Sequence, residues 1–179
     1  GTAACGGGSG SSSKSSNPLS GKSSSSTKSA DKNPSTDKSS SADEDSPADI
    51  SLAEVDFCSL VDPAAATAIG LPAQGQAVDN VEGKSCYWAQ DHTSMGIKND
   101  ISMLSGFSDK IVEKKFMGFS GNERYDENLN ECDIAVMVGV GSALRISLGN
   151  PGDDNPALHG KGCAVGEDLM QHALAKIKK

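Results

Sequence analysis

Of the first 49 residues, only Leu19 is large and apolar. A segment like that cannot bury enough apolar surface to offset the entropy of ordering its chain. Whatever folds must therefore come from the residues that follow. The segment holds seventeen serines, in runs such as Ser11-Ser12-Ser13 and Ser23-Ser24-Ser25-Ser26, beside Gly6-Gly7-Gly8-Ser9-Gly10. This composition predicts a disordered linker over residues 1–49 and one folded domain over residues 50–179. The roughly 45 residues from Cys5 to Asp49 would have an r.m.s. reach of about 35–40 Å. The chain carries a net charge of −8. An acidic surface argues against nucleic acid, and against anionic lipid headgroups, as main partners, since both require clustered Lys and Arg. No run of apolar residues is long enough for a membrane-spanning helix.

Four of the five cysteines, Cys58, Cys86, Cys132 and Cys163, fall in the domain, and none forms a Cys-x-x-Cys pair. Zinc and thioredoxin-like readings therefore lack their spacing. An even number spread over separate segments predicts two disulfides and an oxidising compartment. Pairing Cys58 with Cys86 and Cys132 with Cys163 is preferred, since each bond would tie a helix end to a nearby strand. The rival pairing, Cys58–Cys163 with Cys86–Cys132, requires the strands bearing Cys86 and Cys132 to be neighbours, because Cα atoms more than about 7 Å apart cannot be bridged.

The domain's pattern predicts an α+β two-layer sandwich: an antiparallel sheet of about 4–6 strands with N- and C-terminal helices packed on it. Asp62 can cap a short helix opened by Pro63 and stopped by Gly70 and Pro72. Strands are expected over Val81–Gln90 and Met95–Leu104, the second with Met95, Ile97, Ile101 and Met103 on one face. Ser108 can cap a helix running to Phe116. The alternation of Cys132, Ile134, Val136, Val138 and Val140 marks a strand, which turns at Gly141-Ser142 and returns with Leu144, Ile146 and Leu148 facing in. A final helix over Lys161–Lys178 carries Cys163, Met170, Ala173, Leu174 and Ile177 as its apolar stripe.

Catalytic constellations are thin. His92, His159 and His172 share no ligand spacing, and Gly118-Phe119-Ser120-Gly121 is not a nucleophile elbow. Gly139-Val140-Gly141 precedes a strand, so it is a hairpin turn and not a phosphate loop. Glu123, Asp126, Glu127, Glu131 and Asp133, with Asp153 and Asp154, match no calcium-loop spacing and are expected to be solvated loop charge. Among the aromatics, Trp88 shares a strand side with Cys86 and is expected in the core. Tyr87 faces the other way, and the two are weak ligand-binding candidates. No catalytic residue, metal or cofactor is expected.

The leftover cysteine lies in Thr2-Ala3-Ala4-Cys5, which resembles a bacterial lipobox. Ala3 and Ala4 supply its small residues, and Thr2 departs from the usual Leu. Acylation of Cys5 is expected, with the Gly/Ser-rich segment as tether. The start at Gly1 in place of Met is taken to mean that a preceding segment has been removed.

The domain resembles an actinobacterial lipoprotein family, domain of unknown function 3558. The matching segments are Asp56-Phe57-Cys58-Ser59-Leu60-Val61, Cys86-Tyr87-Trp88, Cys132-Asp133-Ile134-Ala135-Val136, and Gly162-Cys163 at the head of the last helix. The family has no established activity, so the resemblance implies location and architecture alone. In outline such domains also look similar to extracytoplasmic sensor domains of actinobacterial kinases. The resulting expectation is a non-enzymatic, monomeric cell-surface lipoprotein, held on the extracytoplasmic face of the membrane, or secreted if Cys5 is not acylated. It would bind a small or lipidic ligand or an envelope component. The alternative is an accessory or sensor module for a membrane or envelope protein.

Overall fold

A computed structural model describes residues 49–102 and 110–179. Cys5 and the rest of residues 1–48, expected to be a linker, lie outside this range, as do Met103, Leu104 and Ser108. The described chain is mostly sheet. A 3-10 turn, Phe57–Leu60, and helix α1, Pro63–Ala68, precede the strands β1 (Gln76–Asn80), β2 (Gly83–Gln90), β3 (Thr93–Asn99), β4 (Ile111–Phe116), β5 (Phe119–Asp126), β6 (Glu131–Gly139) and β7 (Ser142–Gly149), and helix α2, Gly162–Ile177, follows. The strands form one open sheet in the order β1-β2-β3-β7-β6-β5-β4. Every neighbouring pair is antiparallel. Strands β1, β3, β6 and β4 therefore run one way and β2, β7 and β5 the other.

The strand number exceeds the expected range because three segments carry no clean apolar alternation. β1 is exposed along its whole length, and as an edge strand it has one paired neighbour and little apolar surface to bury. β5 reads Phe119-Ser-Gly-Asn-Glu-Arg-Tyr-Asp, nearly all polar after its first residue. Residues leading to Phe116 were expected to be helical, but Ile111–Phe116 is strand β4. The pair Val112 and Phe116 fits a period of two as well as a helical i, i+4 spacing. Pairing along β5, from Ile111 opposite Arg124 to Phe116 opposite Phe119, decides it.

The strand expected at Val81 starts two residues later, because Val81 and Glu82 form the turn between β1 and β2. β3 ends at Asn99, which leaves Ile101 exposed and not on the apolar face. Likewise β6 ends at Gly139, so Val140 stands 93% exposed in the turn. Asp62 occupies the N-cap position of α1 but makes no side-chain cap there. Its carboxylate instead accepts from Lys176 Nζ of α2 at 2.5 Å, and Gly70 takes the left-handed φ of 77° that ends the helix.

One face of the sheet holds the core. Trp88 and Cys86 on β2, Met95 and Ile97 on β3, Leu144, Ile146 and Leu148 on β7, and Ile134 and Val136 on β6 are all buried. The register sets Ile97, Ile146 and Ile134 side by side. α2 packs over β6 and β7, and the 3-10 turn over β2. Small residues allow this close approach. A Cβ on Gly166 would lie 3.1 Å from Ile134, and one on Gly75 would collide with Cys86 and Trp88 at 2.4 Å.

Candidate functional site

Two disulfides fix the elements over the core face. Cys58 bonds Cys86 and Cys132 bonds Cys163, with Cα–Cα distances of 5.0 and 5.1 Å. The rival pairing is excluded by the sheet order, which separates the strand of Cys86 from that of Cys132 by two others. Above the second bond, Lys114 on β4 donates to Glu123 on β5 at 2.8 Å and to Glu167 on α2 at 2.6 Å. Burial lowers the Lys114 pKa, but the two carboxylates outweigh it and the net shift is upward. Glu123, Cys132 and Cys163 form a group of possible metal ligands within 4.8 Å of one another. Both sulfurs belong to the disulfide, so no thiolate is left to hold an ion.

The opposite face is polar. Asp133, on β6 between Arg124 of β5 and Ser147 of β7, is only 1% exposed. Its Oδ2 accepts from Arg124 at 2.5 Å, its Oδ1 from Arg145 at 2.7 Å, and Ser147 Oγ also donates to it. Arg145 reaches on to Asp100 at 2.9 Å, and Asp100 pairs with Lys98. Burial raises the Asp133 pKa, but Ser147, Arg145 and Arg124 together hold it below the ordinary carboxylate range. For Asp100 the effect of burial is likewise outweighed, by Lys98, Ser102 and Arg145, and its pKa falls. Glu131 moves the other way, pushed up by burial and by the charge of Asp133.

This network corrects the expectation of solvated loop charge. Glu123, Glu131 and Asp133 are strand residues, and two of them bridge to basic partners. Their even and odd positions assign them to faces only once the register is known. Asp126 is the last residue of β5 and accepts from Asn128 N and Leu129 N of the turn that follows. Asp153 binds the side-chain amides of Asn130 and Asn150. The histidines are exposed. His92 pairs with Asp154 at 2.8 Å, His159 pairs with Asp153, and His172 contacts the Asp168 carbonyl of its own helix.

Of the two aromatic candidates, Trp88 is buried beside the Cys58–Cys86 bond, and its Nε1 finds no partner among the described residues. Tyr87 stands 46% exposed on the polar face, over Gly96. The structure does not bring them together, because they point to opposite sides of β2.

A larger concavity among the described residues lies elsewhere, at the sheet end formed by the β4–β5 and β6–β7 turns. It is an open, mainly apolar groove of about 780 Å³, with Phe119, Met137, Val138 and Val140 along it and Lys115 and Asp49 as its charged members. A second hollow of about 600 Å³ continues from it through Lys115, Ser120 and Met137. The chain joins the domain here. Ile50 N donates to Val138 O at 2.8 Å, and Val140 N to Asp49 Oδ1 at 2.8 Å. Gly139 makes room for this junction, since a Cβ would lie 2.3 Å from Asp49 and 2.5 Å from the Ile50 carbonyl. The sequence signals for the groove were weak: an exposed Met on β6 and two glycine-flanked turns.

A family model described as "Protein of unknown function (DUF3558)" matches residues 1–176. The chain belongs to that family. No curated protein and no solved structure matches it. The two disulfides suggest an oxidising, extracytoplasmic environment. No helix among the described residues is long and apolar enough to cross a membrane, which says nothing of β-barrels.

Proposed function

We propose that this DUF3558 member is a non-enzymatic, extracytoplasmic lipoprotein. Its domain would bind a lipidic or other small ligand, or an envelope component, in the groove between the β4–β5 and β6–β7 turns. The observation that carries the reading is the groove itself: apolar, roomy, and lined in part by two exposed residues, Met137 and Val140, that contribute nothing to the core. Acylation of Cys5 would tether it to the membrane. Actinobacterial origin and a monomeric state belong to the same reading.

Native mass spectrometry of the full chain tests the groove. A co-purifying apolar molecule, lost in Met137→Asp, supports it; an empty protein that also fails to take up a fluorescent fatty acid overturns it. For the tether, Cys5→Ser made in a lipoprotein-processing host should leave the detergent phase and appear as soluble protein. Equal partitioning of both forms would defeat acylation.

The alternative is a module for a protein partner. What favours it is strand β1, a fully exposed sheet edge with Val78 on it, open to strand addition.

A further inference from the structure

The antiparallel order places the β1–β2, β4–β5 and β6–β7 turns, and the exit of β3, at one end of the sheet. Each of these positions presents an apolar residue to solvent. Val81 and Val140 are essentially fully exposed, Met117 is 44% exposed and Ile101 52%. Tight turns ordinarily carry Gly, Asn, Asp or Ser. Met117 even adopts a left-handed φ of 51°, a conformation that favours those types over a long apolar side chain. The opposite end has the ordinary chemistry. Its turns hold Asp91 and His92, then Asp126, Glu127, Asn128 and Asn130, then Asp153 and Asp154, with Leu129 as the apolar exception.

Cations gather at the corner of the apolar end that holds the groove. Lys115 lines it, and Lys178 at the end of α2 lies 5.2 Å over the Phe119 ring and 3.4 Å from the Met117 carbonyl. Lys179 follows. The acid in the groove lining, Asp49, is already engaged by Val140 N. Glu113 lines the adjoining hollow, so Lys115, Lys178 and Lys179 stand here against two carboxylates, a local balance that the net charge of −8 does not describe. Asp49 and Ile50, the first described residues, also lie at this corner.

We propose that this end of the sheet docks on a phospholipid surface, with Met117 and Val140 inserting among the acyl chains and Lys115, Lys178 and Lys179 meeting the headgroup phosphates. Shallow burial of a few side chains plus cationic contacts is the chemistry of reversible interfacial binding. This deepens the reading above by naming the envelope component that faces the groove, and it does not depend on acylation of Cys5.

The test uses the full chain as Cys5→Ser, so that no acyl anchor contributes, sedimented with vesicles of phosphatidylcholine alone or mixed with phosphatidylglycerol. Binding to the mixed vesicles is expected, weakened by salt. Met117→Asp with Val140→Asp should weaken it roughly tenfold. Lys115→Glu should weaken it about fivefold at low salt and reduce the salt dependence. Both tip positions are exposed, and Asp tolerates the backbone at Met117, so thermal unfolding should be unchanged. No binding to either vesicle, or binding that the tip variants leave intact, overturns the proposal. The outcome is separable from the groove reading: a retained apolar ligand in native mass spectrometry without vesicle binding sinks the docking alone.

Discussion

The two faces of the central strands are held by opposite means. On one, Ile97, Ile146 and Ile134 lie in a row beneath the 3-10 turn and α2. On the other, the adjacent residues of the same strands are Lys98, Arg145 and Asp133, where pairing holds a buried Asp133 beneath more exposed partners. An apolar row loses stability in proportion to the volume removed. A buried charge depends on its partners, and removing one leaves the other stranded. The same backbone therefore carries one face that tolerates change gradually and one that does not.

The largest expected effect comes from breaking the polar face. Asp133→Ala should cost about 3–5 kcal/mol in urea unfolding, because Arg124 and Arg145 lose their shared acceptor. If the loss is below that of a single exposed ion pair, the polar face is not held by Asp133. Removing both sulfurs of one bond, as Cys132→Ala with Cys163→Ala, should cost about 3–4 kcal/mol, from the entropy regained by a loop of 31 residues. Ile146→Val on the apolar face should cost only about 0.5–1.5 kcal/mol, and a comparable loss in Ser147→Ala would erase the contrast between the faces.

The smallest effect is the pH dependence. Asp133 and Asp100 have folded-state pKa values below their unfolded ones. Their contribution is therefore complete above the ordinary Asp value of about 3.9 and is lost as pH falls through the depressed folded values. Glu131, raised by burial, has the opposite sign, and its contribution fades as pH rises through its folded pKa. Stability measured from pH 6 down to pH 2.5 should fall, and the fall should flatten in Asp133→Asn. A slope unchanged by that substitution would assign the acid sensitivity to other carboxylates.

These faces were not equally legible in the sequence. Alternation gave the apolar row on β6 and β7, and the final helix, because a period of two or of 3.6 needs no knowledge of neighbours. Charges on β5 and β6 carried no such mark. Arg124 and Asp133 are opposite one another only because Asp126 pairs with Glu131 across a four-residue turn. β1 and β4, at the two edges, had too little to bury to leave a pattern. The groove was hidden for a similar reason, since it arises from two turns that are distant in sequence and adjacent only through β5 and β6.

The two disulfide loops, 58–86 and 132–163, follow one another without overlapping. That arrangement has a consequence in time. The first bond needs only the chain through Cys86 and can close while Cys132 and Cys163 are still to come. A chain delivered from its N-terminus into an oxidising space thus presents its four domain cysteines in the order in which they pair, and neighbours among them become partners without reshuffling.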